Sequence, residues 1–295
     1  MSTLCAACGG ADVRHHLSVK AASGESLVAN TTAFGVAPSD LVRCALCGHI
    51  QVAELPPHAE LEEAYAEVDE SAYLEEERGQ RATARRSLEA IERRVDRGSI
   101  CDLGCWVGFL LSEAEGRGWR AQGVEPSRFA ADYARRQFGL SVQNTTLDRA
   151  ELPAESFEAV VLADVLEHLP DPGATLDRVR ALLRPGGVLL LALPDSGSLV
   201  ARALGARWWS VIPTHVQYFT RPSLTLLLGR HGFTVERVDT APKAFTVRYY
   251  LSRLEGYSGT LARAAMGTAE RLGVADCLVW PDFRDRMEVI ARRGS

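Results

Sequence analysis

The chain reads as an α/β protein whose main sheet is mostly parallel, covered by helices on both faces, and preceded by a small zinc ribbon. Two observations predict this. From Ser99 onward, short apolar runs alternate with helical patterns, the rhythm of parallel strands joined by helical crossovers. Ahead of that region, Cys5-Ala-Ala-Cys8-Gly9 and Cys44-Ala-Leu-Cys47-Gly48 repeat one knuckle. At 295 residues the chain is long for a single domain, which suits one large domain plus a small one. The expected divisions are a ribbon over 1–52, a helical linker or lid over 53–98, and a large domain over 99–295 with a helical insert at about 244–280.

Bulk properties narrow the function. Apolar residues make up 46% and charged residues 24%, an ordinary balance for a protein with a full core. The longest apolar run, Val188 to Leu193, is too short to span a bilayer, and no basic-then-apolar leader opens the chain. A cytoplasmic location with no membrane partner is expected. The net charge of -5 argues against a chain that mainly grips nucleic acid and suits a small-molecule substrate. Nothing in the pattern sets the oligomeric state.

In each knuckle a two-residue spacer turns both sulfurs toward one point, and the following glycine lets backbone N–H groups approach them. Cys5, Cys8, Cys44 and Cys47 thus supply four soft ligands for a tetrahedral zinc. Two disulfides would need an oxidising compartment that nothing in the sequence suggests. Four sulfurs leave no open position, so this zinc is expected to be structural. Residues 27–34 and 41–52 are candidate strands. Cys101, Cys105 and Cys277 have no comparable partners, and the first two read as small core residues.

The stretch from Glu60 to Arg97 is rich in Glu, Ala, Leu and Arg and reads as one or two helices. Tyr65 and Tyr73 within it are candidate lid residues, although packing tyrosines are the commoner outcome. Beyond it, strands are expected at Ile100 to Leu103, Ala121 to Glu125, Leu140 to Val142, Ala159 to Ala163 and Gly187 to Ala192. Helices are expected at Gly108 to Gly116, Ser127 to Phe138 and Ala174 to Leu183. Ligands of such sheets bind beyond the carboxyl ends of the strands. Asp102-Leu-Gly104-Cys105-Trp106-Val-Gly108 leaves the first strand through a turn whose glycines free the backbone. Val124-Glu125-Pro126 ends the second strand with a carboxylate placed to accept ribose hydroxyls, with a helix N-cap region as its structural alternative.

These segments, with Asp148-Arg-Ala-Glu-Leu-Pro153, Ala163-Asp-Val-Leu-Glu-His-Leu-Pro-Asp-Pro172 and Leu183-Arg-Pro-Gly-Gly187, resemble class I methyltransferases. The resemblance implies a Rossmann-like seven-stranded sheet, mostly parallel with an antiparallel last strand, closed by the pair Phe233 to Thr240 and Met287 to Arg292. It implies S-adenosylmethionine as cofactor. Asp102 and Gly104 would frame the methionine portion, with Cys105, Trp106 and Gly108 in the same turn. Glu125, next to Pro126, would hold the ribose, Asp148 would face the adenine amine, and Asp164 would lie near the methionine amino group. Trp106 stands where the family usually has glycine, so its indole must pack beneath the cofactor or reshape the loop.

His215, in Pro213-Thr-His-Val-Gln-Tyr218-Phe-Thr220, follows the fifth strand and is the candidate general base, with Tyr218 beside it. The same histidine has a second reading. Asp164, Glu167 and His168 resemble the motif of metal-dependent small-RNA 2'-O-methyltransferases and coenzyme-Q O-methyltransferases. With His215 they would form an O/N site for a divalent ion. The layout also resembles sugar C-methyltransferases of antibiotic pathways, which share the ribbon and the H-x-x-Y-F context but carry a further C-terminal domain. The expected function is methyl transfer to an oxygen or carbon of a sugar, polyketide or related metabolite. The rival expectations are an RNA methyltransferase that uses the ribbon as its grip and a non-catalytic scaffold.

Overall fold

The computed structural model describes residues 4–22, 34–57, 60–61 and 71–294. The candidate strand at 27–34, apart from Phe34, and the candidate lid residue Tyr65 lie outside the described residues, and Tyr73 falls in the 3-10 turn Ser71–Glu76. In the N-terminal part, β1 (Val13–Leu17) pairs antiparallel with β4 (Leu41–Cys44), and β4 with β5 (Ile50–Val52). The short strands β2 (Lys20–Ala21) and β3 (Val36–Ala37) form a separate parallel pair. The expected single stretch at 41–52 is thus two strands, because the second cysteine knuckle turns the chain between them.

The helix α1 (Glu77–Glu92) buries Ala84, Leu88 and Ile91. That spacing of four and three residues places them on one face, where Leu88 and Ile91 join a core with Ile100, Val161 and Ile290. The main sheet then begins with β6 (Ser99–Leu103), α2 (Phe109–Gly116), β7 (Arg120–Val124), α3 (Arg128–Phe138) and β8 (Ser141–Gln143). It continues with β9 (Phe157–Ala163), α4 (Pro172–Leu182) and β10 (Leu183–Pro194). Ser127 and Asp171 cap α3 and α4 through their side chains, which fixes where each helix starts.

After β10 come α5 (Leu199–Leu204), β11 (Gln217–Tyr218), α6 (Arg221–Arg230) and β12 (Phe233–Thr240). The insert holds β13 (Phe245–Thr246), α7 (Val247–Ser252), α8 (Gly259–Arg271) and β14 (Leu278–Val279), and β15 (Arg286–Arg293) follows. Within the insert, β13 and β14 pair antiparallel, so the stretch expected to be helical is closed by a small ribbon at its base.

The seven strands lie in the order β12-β15-β10-β9-β6-β7-β8. β6 to β10 are mutually parallel, and β15 runs antiparallel to both β10 and β12. The sheet and its antiparallel last strand match the expected fold. Order reverses between β6 and β9, and this switch point is where a crevice opens at the strands' carboxyl ends.

The ribbon is continuous with the large domain. β11 pairs antiparallel with β5, so the small sheet runs β1-β4-β5-β11. Cys5, Ala7 and Cys44 share a core with Leu166, Phe219, Leu224 and Leu227. No helix among the described residues is long and apolar enough to cross a membrane.

Candidate functional site

A cavity of about 1010 Å³ opens at the switch point. Asp102, Gly104, Cys105, Trp106, Glu125, Pro126, Asp148 and Asp164 line one part of it, and His168 and His215 line another. Gly108 lies off the lining. Its φ of +82° starts α2, and a Cβ there would stand 2.6 Å from Leu140 and 3.0 Å from Ala134. Gly108 therefore serves packing between helix and strand. Gly104, at φ +81°, has Val165 Cγ2 only 2.5 Å from where a Cβ would be, so glycine here lets two strand-end loops touch.

Glu125 takes the structural role named as the alternative for it, at the start of α3, and also lines the cavity. Its Oε2 accepts the Trp106 N–H and its Oε1 the Ser127 N–H, each at 2.8 Å. These bonds clamp the glycine turn to the start of α3. Each carboxylate oxygen keeps a lone pair for a ribose hydroxyl. Asp102 is buried, and its Oδ1 finds no partner. Burial, together with the nearby Glu125 charge, pushes its carboxyl up to about 7. Burial also lifts Glu125 to about 7 against the pull of its two N–H donors. Trp106 takes φ +48°, and its indole leaves the crevice open. Its ring sits 6.4 Å from Phe129. An unpaired buried carboxylate oxygen beside a glycine turn suits the cationic, hydrogen-bonding end of S-adenosylmethionine.

A second cluster forms where β9 ends. One ligand atom from each of Glu167, His168 and His215 lies within 4.8 Å of the others. His168 Nδ1 bonds the Thr214 carbonyl at 3.0 Å, and His215 Nδ1 bonds the Ser210 carbonyl at 2.8 Å. A carbonyl can only accept, so both Nδ1 atoms carry the proton and both Nε2 atoms present lone pairs. Glu167 is 1% exposed and neither carboxylate oxygen has a partner. Burial, reinforced by the Asp164 charge, raises its carboxyl to about 8. Burial lowers His168 to about 4 and drives His215 well down, so both rings are neutral near pH 7.

Asp164 does not join that cluster. It receives hydrogen bonds from Lys243 and Arg286. Burial would raise its carboxyl, and the two cations more than reverse that. With both oxygens engaged by Lys243 and Arg286, Asp164 stands outside the expected metal-ligand set, and any methionine amino group would compete with those two cations for it. Tyr218 does stand beside His215, with ring centroids 6.3 Å apart, but its side chain does not reach the cavity. It packs among Leu41, Val216 and Trp208 on the ribbon side, off the cavity lining, with an unpaired hydroxyl whose pKa burial raises.

Sequence reasoning missed Lys243, Arg286, Gln217 and His49. Lys243 precedes the insert and Arg286 opens β15, and neither stands in a motif. Nothing local announces that they converge on Asp164 from 79 and 122 residues away.

The cysteine quartet forms as expected. Cys5 Sγ lies 3.5 Å from Cys47 Sγ, and Cys8 Sγ lies 3.5 Å from Cys44 Sγ. Thiolates around a tetrahedral zinc at about 2.3 Å stand about 3.8 Å apart, so the arrangement fits. Gly10 N–H approaches Cys8 Sγ at 3.4 Å, the kind of contact that steadies a bound thiolate.

A doubly wound sheet with acidic strand ends around a switch-point cavity is the arrangement in which α/β proteins take up nucleotide-like ligands. A family model described as a methyltransferase domain matches residues 74–238. The chain therefore belongs to that family, among the class I S-adenosylmethionine-dependent methyltransferases. It is 33% identical over 166 residues to a ubiquinone biosynthesis O-methyltransferase of Bradyrhizobium sp. (strain ORS 278), covering 52% of this chain and 65% of that one. It is 29% identical over 158 residues to the protein of the same name from Dinoroseobacter shibae, covering 50% and 63%. The chain thus spans less than two thirds of these relatives' length. The 1,6-didemethyltoxoflavin-N1-methyltransferase of Burkholderia thailandensis, solved with 1,6-didemethyltoxoflavin and S-adenosylhomocysteine, shares the fold. Its TM-score is 0.53 at 17% identity, over 84% of this chain and 96% of that one.

Proposed function

We propose that the protein transfers the methyl group of S-adenosylmethionine to an oxygen of a small-molecule acceptor, using a divalent cation held by Glu167, His168 and His215. One observation carries this reading. Two imidazole lone pairs and an orphaned carboxylate converge beside the cofactor cavity, and each ring is oriented by a carbonyl bond at its other nitrogen. A buried carboxylate without a partner is costly unless something positive meets it. Two nitrogens and a carboxylate suit a divalent metal. The O-methyltransferase names of the relatives support an oxygen acceptor.

When bound, the cation would act as a Lewis acid that lowers the pKa of an acceptor hydroxyl. The protein's own groups do the rest. Glu125 holds the ribose, and Asp102 meets the methionine end, setting the sulfonium in line with the acceptor. His168 and His215 stay neutral through burial and so remain ligands near pH 7. Phe34, Trp209, Tyr249, Tyr250 and Phe283 line the outer cavity and exclude water around an apolar acceptor. We assign the cysteine quartet a structural zinc. A second reading keeps His215 as a metal-free general base, favoured by its available Nε2 lone pair.

Mn²⁺ binding followed by electron paramagnetic resonance separates the two readings, since Mn²⁺ prefers oxygen and nitrogen ligands over thiolates. One bound ion in the full chain is expected, lost in Glu167→Gln and His215→Gln while S-adenosylhomocysteine still binds. Equal binding in Glu167→Gln, or none in the parent, overturns the metal reading.

A further inference from the structure

His49 and Gln217 lie 168 residues apart, and His49 Nε2 meets Gln217 Oε1 at 2.8 Å. His49 is 0% and Gln217 2% exposed. Two fully buried polar side chains at a seam between apolar cores are expensive, and here the cost is only partly met, since His49 Nδ1 has no partner. The amide oxygen only accepts, so His49 donates from Nε2. The other end of the amide points elsewhere. Gln217 Nε2 donates to the carbonyls of Leu169 and Pro170, at 3.4 and 3.3 Å.

Those carbonyls belong to the turn that follows Glu167 and His168. Gln217 itself lies two residues after His215. The amide thus spans the two segments that carry the three converging groups. Two further bonds run in parallel: Val216 N–H to the Glu167 carbonyl at 3.0 Å, and His168 Nδ1 to the Thr214 carbonyl at 3.0 Å. The ribbon holds the outer side. Val52 N–H donates to the Val216 carbonyl at 3.1 Å, and β5 pairs with β11. His49 also sets its ring 4.7 Å from that of Phe219.

We infer that Gln217 is a positioning residue that sets the separation of His215 from Glu167 and His168, and that His49 makes the N-terminal ribbon the outer anchor of that setting. The inference rests on the proposed role of those three residues, and its test reads their position without needing metal or turnover. The parallel backbone bonds predict that losing the amide shifts the segments and does not unfold them.

The experiment is histidine-ring NMR on the full chain, whose seven histidines are few enough to assign. The His168 and His215 rings stand edge to face with centroids 4.5 Å apart, so each reports the other through its ring current. In Gln217→Leu both signals should move toward unperturbed histidine values, with S-adenosylhomocysteine affinity unchanged. His49→Phe keeps the ring against Phe219 but removes the donor, and should move them the same way. His49→Gln, whose amide nitrogen reaches about where Nε2 stood, should restore the parent signals. If the Leu variant fails to fold, the two His49 variants carry the test. Unmoved signals in His49→Phe or in a folded Gln217→Leu overturn the inference. Adding Mn²⁺ to the parent tests the other claim separately: no broadening of the two signals sinks the metal reading, while the shifts still decide the role of Gln217.

Discussion

Glu167 and Val216 meet through a single backbone bond, in which Val216 N–H donates to the Glu167 carbonyl at 3.0 Å while the Glu167 carboxylate stays unpaired. The backbone is satisfied and the side chain is not. That contrast gives the first prediction, for protein without added divalent ion. The folded state lifts the Glu167 carboxyl from 4.5 to about 8 and so favours its protonated form. The stabilising contribution is complete below about 4.5 and is lost as pH rises through about 8. Glu167→Gln avoids the buried charge. Its Tm should exceed that of the parent at pH 9, and the gap should close by about pH 5. A gap that widens toward acid would contradict the burial of an unpaired carboxylate.

Glu125 offers a test of the cofactor site. Its carboxylate holds two backbone N–H groups and, in the proposed complex, the ribose. Removing a charged hydrogen-bond acceptor costs about 1.5–3 kcal/mol, so Glu125→Ala should weaken S-adenosylhomocysteine binding by about ten- to a hundredfold. Calorimetry measures it. The freed Trp106 and Ser127 N–H groups should also lower Tm, so Glu125→Gln is the sharper probe: it keeps an acceptor but loses the charge, and binding should fall between the two.

How much of this the sequence shows depends on how local each signal is. Asp102, Glu125 and the cysteine knuckles are legible because strand-end chemistry and two-residue spacers sit within a few residues of one another. The parallel sheet follows from the alternation, the antiparallel last strand only from the family resemblance, and the strand order from the structure alone. The reassignments came from contacts between distant segments. Asp164 reads as a free carboxylate until Lys243 and Arg286 arrive from the insert and the last strand. Tyr218 stays beside His215, as their shared motif suggests, yet it packs in the ribbon-side core and off the cavity lining, which no local signal shows. His49 looks like one more residue after a knuckle, and only the pairing of β5 with β11 shows what it touches.

That same pairing predicts how the ribbon fails. Cys5 and Cys44 are each 2% exposed and pack in one core with Phe219 and Leu224. Disrupting the quartet should therefore weaken the large domain as well. Cys44→Ser is expected to lower the single cooperative unfolding transition by a few kcal/mol, on the order of what a lost structural metal costs a small module after discounting its pH-dependent binding. Denaturation followed by circular dichroism and by tryptophan fluorescence should shift together. A separate early transition, leaving the main one unmoved, would show an independent module.

Trp106 tests the cavity itself. Its left-handed backbone costs about 1–2 kcal/mol, which glycine would recover. Against that, the half-buried indole packs with Val107, Phe109 and Phe129, and truncating a well-packed aromatic costs about 3–5 kcal/mol, less for one partly exposed. The second effect is the larger, so Trp106→Gly should be less stable than the parent by about 1 kcal/mol, although glycine suits the backbone better. Because the indole lines the cavity, S-adenosylhomocysteine should quench its fluorescence in the parent. Trp106→Phe should bind with nearly the same affinity but lose most of the quenching. Full quenching in Trp106→Phe would assign the signal to Trp209, which lines the outer cavity, and would place the ligand away from the glycine turn.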